Sequence, residues 1–467
     1  MGFIKIMSNG SLLFLSIISS ITVQASPEPS PSIISQPTEV KQTLFKNVYI
    51  FDGKSTKITQ QKNVLVSGNK IQIISAKPIP VDSNTQIIEG LNKVLMPGLI
   101  DAHWHAMMAA MPMQNLISSE VADINFAAAQ ESKNTLMRGF TSVRDLSGST
   151  FSLKRAIDSN IVNGPRIWPS GAMISQTGGH GDFRMTYEIP TSKHAALSRG
   201  EEIGGGVIAD GPDEVRKRVR EQLMLGASQI KMAAGGGVTS NYDPIDVSQY
   251  SEEEFKAGVN AAENWGTYVS VHAYTPRAIQ AALKSGVKVI EHAQLLDEAT
   301  VKMMAEKGAW LSGQAFIDNE YANPVTGAAK EKQLQVFKGT DATFELAKKY
   351  NIKIAWGTDI LFDPKMTPHQ GAILTTMTRW FKPSEVLKMA TSTNAELLAL
   401  SGPRNPYPGK LGTIEQGALA DLLLVDGNPL ENIELIANPE KSFLVIMKDG
   451  VIYKNTTPNS QNNIVLE

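Results

Sequence analysis

The sequence predicts an α/β protein: a (β/α)8 barrel accompanied by a small β-sandwich built from both ends of the chain. Three observations carry that prediction. Segments with helical periodicity alternate with short apolar runs through the middle of the chain. Runs rich in β-formers and broken by turn residues occupy its two ends. Histidine, lysine and aspartate recur where the apolar runs stop, which is where a barrel collects its functional groups.

Taken in order, residues 1–25 read as a signal peptide. They hold one lysine, an apolar stretch from about Ser11 to Val23, and small residues at Val23 and Ala25, the two positions a signal peptidase inspects. The stretch is shorter than a bilayer-spanning helix requires and carries several Ser and Thr, so a retained anchor is the weaker reading. Residues 26–42, rich in Pro and Ser, form a flexible leader. An exported protein, periplasmic or secreted, with no stable membrane anchor after cleavage, is expected. Cysteine is absent from the 467 residues, which removes a disulfide framework, thiolate metal ligands and cysteine nucleophiles together. With 44 basic and 46 acidic residues the formal net charge is -2, and nothing global argues for nucleic acid or an anionic membrane as partner.

Residues 43–95 and 405–456 make the composite β-sandwich. "LFKNVYIFDGKSTKI", "NVLVSGNKIQIIS" and "TQIIEGLNKVLMPG" read as antiparallel strands with turns at Asp52-Gly53 and Gly68-Asn69, and "GTIEQGALADLLLVDG" and "FLVIMKDGVIYKN" match them at the other end. Residues 457–467 are a C-terminal tail.

Residues 96–404 form the barrel. "DINFAAAQESKNTLMRG" precedes "FTSVRDLSG", "DEVRKRVREQLMLGA" precedes "SQIKMAAGGG", and "EEEFKAGVNAAENWG" precedes "TYVSVHA". The pattern continues with "PRAIQAALKSG" before "VKVIEHA", "DEATVKMMAEKG" before "AWLSGQ" and "DATFELAKKYN" before "IKIAWGTD". With the runs at Leu99 and Ile167, this gives about eight β units separated by helices. An open doubly wound sheet would place a Gly-rich phosphate turn after the first strand. The first strand instead ends in Asp-Ala-His-Trp-His, and the glycine clusters at 178–179, 204–206 and 235–237 lack dinucleotide or Walker spacing.

Side chains two apart on a strand face the same way, so His103 and His105 can both point to the barrel axis at the end of strand one. His272 in "VSVHA", His292 in "VIEHA" and Asp359 in "IAWGTD" end strands five, six and eight. All would converge on the catalytic face. Lys231 interrupts "QIKMAA" at the end of strand four, where an unpaired ammonium is costly to bury. It either snorkels out of the barrel end or, as a neutral amine, takes up carbon dioxide to give an anionic carbamate that bridges two metal ions.

The ensemble of HxH after strand one, Lys after strand four, His after strands five and six and Asp after strand eight resembles the binuclear amidohydrolase superfamily. The resemblance spans nearly the whole mature chain. "TGGHGD" at 177–182 and "GGGVTS" at 235–240 look most like its imidazolonepropionase-related branch, which includes Xaa-Pro and Xaa-Lys/Arg carboxydipeptidases and ochratoxin-hydrolysing amidases. The likeness implies that His103, His105 and Asp359 hold one divalent ion, that His272 and His292 hold the other, and that carbamylated Lys231 bridges both. Zn2+ suits such imidazole and carboxylate donors. A hydroxide shared by the two ions would then be the nucleophile, with Asp359 and His292 as candidate catalytic residues and Asp359 as the proton carrier.

Substrate selection is assigned to the strand-end loops. His180 and Tyr242 are candidates for holding a substrate carbonyl or carboxylate, and Arg184 and Arg277 for pairing an α-carboxylate bidentately. The expected activity is hydrolysis of the amide bond in N-acyl amino acids or dipeptides, ochratoxin-type amides included. A cyclic-amide hydrolase of the imidazolonepropionase kind is the enzymatic alternative, and a non-catalytic binding protein on the same fold is the other. No Gly-x-Ser-x-Gly elbow or His-Glu-x-x-His helix supports a serine hydrolase or a zincin. Assembly into a homo-oligomer is left open by the sequence.

Overall fold

The computed structural model describes residues 41–189, 196–240 and 242–458. The signal peptide, nearly all of the leader and most of the C-terminal tail lie outside them. Among the described residues no helix is long and apolar enough to cross a membrane.

Eight short parallel strands run through the middle of the chain: β1 (Leu99–Trp104), β2 (Phe140–Asp145), β3 (Arg166–Pro169), β4 (Ile230–Ala233), β5 (Val269–Ala273), β6 (Val289–His292), β7 (Trp310–Gly313) and β8 (Ile354–Trp356). Every residue of all eight is buried, as expected for parallel strands covered on both faces. Ladders join β1 to β3 in one sheet and β4 to β8 in another. Single backbone bonds span the two seams: Ser228 N donates to Pro169 O between β3 and β4 at 2.8 Å, and Asp359 N to His103 O between β8 and β1 at 2.8 Å.

Local chemistry explains where the helices between strands begin and stop. The Glu252–Glu263 helix opens with a capping box, since the Ser251 side chain accepts from Glu254 N while Glu254 accepts from Ser251 N. Pro212 starts the Pro212–Leu225 helix, and Gly226 ends it at φ +107°, a conformation that favours glycine.

The two chain ends meet in one eight-stranded sheet. The hairpin of Lys62–Ser67 and Lys70–Ser75 turns at Gly68-Asn69, and Leu422–Val425 pairs antiparallel with Val94–Pro97. Phe45, Val48, Leu95, Leu424 and Val445 form the core of this sheet. One expectation needs correcting, because Gln42–Ile50 lies parallel, not antiparallel, to Gln86–Glu89 and Val94–Pro97. The hairpin occupies one edge of Gln42–Ile50, and residues 76–85 carry the chain back to the other edge before the next strand starts. That return restores the original direction.

Two further differences concern the barrel. Met173–Ser175 and Gly206–Ile208 form a short parallel pair that joins β4 through Ile174 and Met232, carrying the His180 loop between them. The helix before β8 is the 23-residue Gly327–Lys349, which starts well ahead of the periodic segment at 341.

Candidate metal centre

At the ends of β1, β4, β5, β6 and β8 the structure brings His103, His105, Lys231, His272, His292 and Asp359 to the wall of one cavity. Asp359 Oδ1 lies 3.1 Å from His103 Nε2 and 3.0 Å from His105 Nε2. One ligand atom from each of these three residues falls within 4.8 Å of the others. His292 approaches Asp359 Oδ2 to 3.9 Å, and its ring centroid is 4.9 Å from that of His103 and 4.6 Å from that of His272. Both His292, at φ +75°, and Asp359, at φ +58°, occupy left-handed backbone that costs a non-glycine residue free energy. Gly357 lets the turn after β8 come this close, since a Cβ there would sit 2.2 Å from His103 N.

Hydrogen bonding shows whether these donors fit a metal. A ligating histidine normally gives its second ring nitrogen to a carbonyl or carboxylate. His103 Nδ1 meets Glu291 Oε2 at 2.9 Å, His292 Nδ1 meets Gln314 Oε1 at 2.8 Å, and His272 Nε2 meets the Gly236 carbonyl at 3.1 Å. Each pairing leaves the other nitrogen as a lone-pair donor. His105 Nδ1 is buried with no partner at all. Burial pushes the imidazolium forms of His272 and His292 well below their ordinary range and lowers His105, so these rings are neutral at pH 7. Burial also brings Lys231 down to about 8, although Glu291 and Asp359 attract its charge. Burial alone would raise Asp359, but the His103 and His105 rings beside it, at 3.1 and 3.0 Å, outweigh burial and hold the carboxylate far below its usual range. Neutral imidazoles, an ionised carboxylate and a readily deprotonated amine are the donor states a divalent ion needs.

Beneath this layer lies a buried ion pair that sequence reading missed. Arg144 on β2, wholly inaccessible, donates to Glu291 Oε1 and Oε2 at 2.8 and 2.9 Å, to Ala102 O at 2.6 Å, to Ser312 Oγ at 3.1 Å and to Tyr268 Oη at 3.3 Å. Glu291 in turn orients His103. The signal was available in "SVRD" and "VIEH", where a charge interrupts an otherwise apolar buried run. Gln314, just past β7, gave no such signal.

The predicted substrate residues separate. His180 lines the cavity and stacks on His272 with centroids 3.7 Å apart, and burial pushes its pKa down to about 4. Arg184 sits away from the cavity wall, its guanidinium held by Asp182 at 2.8 and 2.5 Å. Tyr242, 37% exposed, donates its hydroxyl to Arg184 O at 2.5 Å and is likewise outside the lining. Arg277 is exposed in the first turn of the Pro276–Lys284 helix and does not reach the cavity. The walls are instead apolar and aromatic, with Phe183, Phe316, Tyr321, Phe337, Phe362 and Met366. Among the described lining residues Lys231 is the only lysine or arginine. Lys332 braces the 237–243 wall loop from behind, donating to the carbonyls of Gly237, Ser240 and Asp243 at 3.1, 3.3 and 2.7 Å.

Comparison with known proteins places this geometry. The family model described as "Amidohydrolase family" matches residues 94–454. The ochratoxinase of Aspergillus niger is 34% identical over 373 residues, covering 77% of this chain and 76% of its own. A prolidase crystallised with N-methylphosphonate-L-proline superposes with a TM-score of 0.81 at 33% identity, covering 89% of this chain and 100% of that one. A Xaa-Pro dipeptidase with methionine bound in its active site gives a TM-score of 0.74 at 30% identity, over 89% of this chain and 100% of that one.

Proposed function

The chain belongs to the amidohydrolase family, and from that premise we propose that this amide-bond hydrolase acts on N-acyl amino acids and dipeptides, releasing a free C-terminal amino acid. The observation that carries the proposal is the joining of six donors, His103, His105, Lys231, His272, His292 and Asp359, on the floor of one apolar cavity. We propose that these residues would hold two divalent ions, Zn2+ by donor type, with Lys231 contributing as a carbamate. Bound there, the ions would supply an activated water at neutral pH and polarise the scissile carbonyl.

The remaining chemistry belongs to the chain. The ionised Asp359 carboxylate can accept a proton at Oδ2 and pass it to the departing amine. Arg144 and Glu291 keep the His103 ring oriented while this happens. His180, neutral and on the wall, is placed to hydrogen-bond the substrate carbonyl. The aromatic walls exclude water and favour apolar or aromatic acyl groups over charged ones. The printed name of the Aspergillus niger relative supports including ochratoxin A among the substrates. Export, as the first 25 residues suggest, remains part of the proposal.

The test is amino-acid release by the chain from residue 26 onward, supplied with Zn2+ and bicarbonate, across dipeptides, N-acyl amino acids and ochratoxin A. Release of one C-terminal residue class, absent in Asp359→Asn, supports the proposal. Silence from protein holding two ions per chain overturns it.

A further inference from the structure

The seam between β8 and β1 has no ladder, although the ends of the two strands bring His103, His105 and Asp359 together there. Side chains stand in for the missing bonds. At the lower end Asn394 Nδ2 donates to Ile100 O at 2.7 Å and to Trp356 O at 2.8 Å, while its Oδ1 accepts from Trp356 N at 3.0 Å. At the upper end the work falls to Asp101, which is fully buried. Its Oδ1 accepts from His103 N at 3.0 Å and Thr358 N at 3.1 Å, and its Oδ2 from Thr358 Oγ1 at 2.7 Å and Gln370 Nε2 at 3.0 Å. Gln370 is fixed from behind, because its Oε1 accepts from Arg138 Nε at 3.1 Å and Arg138 is paired with Glu131 at 2.6 Å.

We propose that Asp101 is a positioning residue for Asp359: it clamps the Gly357-Thr358-Asp359 turn onto β1 and thereby sets the reach of the Asp359 carboxylate to His103 and His105. The turn needs such a clamp. Asp359 sits in left-handed backbone at φ +58°, a conformation that persists only where its surroundings over-determine it. Thr358, its immediate neighbour, gives both its backbone N–H and its hydroxyl to Asp101. His103 N, bonded to the same carboxylate, belongs to the residue whose ring Asp359 must meet. One buried carboxylate therefore indexes both partners of the ligand pair to a common point. Asn394 closes the same seam without touching either partner.

The inference rests on the proposed metal centre only for its functional readout, so the test has two arms. The first is amide hydrogen exchange over residues 354–362 in metal-free protein. Asp101→Asn sets its Nδ2 against Gln370 Nε2, two donors face to face, because Gln370 cannot turn without abandoning Arg138. Exchange at Thr358 and Asp359 should speed up at least tenfold. In Asp101→Asn with Gln370→Glu the new carboxylate accepts from Asn Nδ2 and keeps Arg138, and protection should return.

The second arm is Zn2+ affinity by chelator competition, with metal content by mass spectrometry. Asp101→Asn should bind at least tenfold more weakly, the double variant should recover most of that, and Asn394→Ala should melt earlier yet bind Zn2+ as the wild type does. If Asp101→Asn does not accumulate folded, Thr358→Val removes one of the four bonds at constant shape and should raise exchange over the same segment. Wild-type exchange and affinity in folded Asp101→Asn or Thr358→Val would overturn the clamp. A wild-type chain that binds no metal would sink the proposed centre instead, and the exchange arm would still decide the clamp.

Discussion

Replacing Arg144 by methionine isolates the pair under the centre. Methionine keeps much of the volume but withdraws the guanidinium and both of its bonds from Glu291, leaving a carboxylate with no solvent access and His103 Nδ1 as its one remaining hydrogen-bond partner. Breaking a buried pair by removing one partner costs about 3–5 kcal/mol. The Ala102 carbonyl also loses its side-chain donor, a further cost of about 1 kcal/mol. Methionine burial returns a fraction, so a net loss of about 4 kcal/mol is expected in urea unfolding of chelated protein at pH 7. Adding Glu291→Gln should restore at least about 1 kcal/mol, because the amide no longer needs a counter-charge yet can still accept from His103 Nδ1. A loss under about 1 kcal/mol for Arg144→Met, the scale of a surface pair, would refute the reasoning.

Three further outcomes are expected. Gln314→Leu strips the acceptor from His292 Nδ1 and should weaken Zn2+ binding about 10-fold to 100-fold in chelator competition, with little change in melting temperature of the metal-free chain. Lys332→Met frees the 237–243 wall loop and should raise KM several-fold while kcat changes less, a split read from initial rates. Asp145, pushed up to about 8 by burial against an ordinary 3.8, keeps its proton in the folded state where the unfolded chain releases it. Its contribution is complete below about pH 4 and is lost as pH rises toward about 8. The melting temperature of Asp145→Asn relative to wild type, both metal-free, should therefore improve between pH 5 and pH 8, and a constant difference would contradict this account.

Much of the barrel was legible because parallel strands buried on both faces read as apolar runs, and a titratable residue ending such a run has few explanations. That logic singles out His103, His105, Lys231, His272, His292 and Asp359, which line one cavity. It failed where the signal is set by partners distant in sequence. Arg184 reads as a free guanidinium until Asp182 takes it. Arg277 follows strand five in the chain, but the helix it opens turns it to solvent. Asp101 and Asn394 look unremarkable in isolation, because their meaning lies in a seam formed by residues more than 250 positions apart. The first half of the Gly327–Lys349 helix shows no clear helical stripe in the sequence, because charged residues interrupt its apolar positions and Gly327 and Gly339 punctuate it. Gly339 is there for a close approach, since a Cβ would meet Gln294 O at 1.7 Å. The three-residue strands beside β4 are too brief to show any alternation.

A barrel whose first and last staves are fastened by Asn394, Asp101 and one main-chain bond has one of its two unladdered joints beside its own chemistry. Breathing of such a wall begins where the fewest ladder bonds must part. An ion gripped by β1 from one side and by Asp359 from the other would act as a rivet across that joint, stabilising the closed ring by mass action. Warming or chelation should then silence the enzyme before the bulk of the fold melts, and cooling with ion restored should revive it. Turnover itself becomes the gauge of whether the ring is shut.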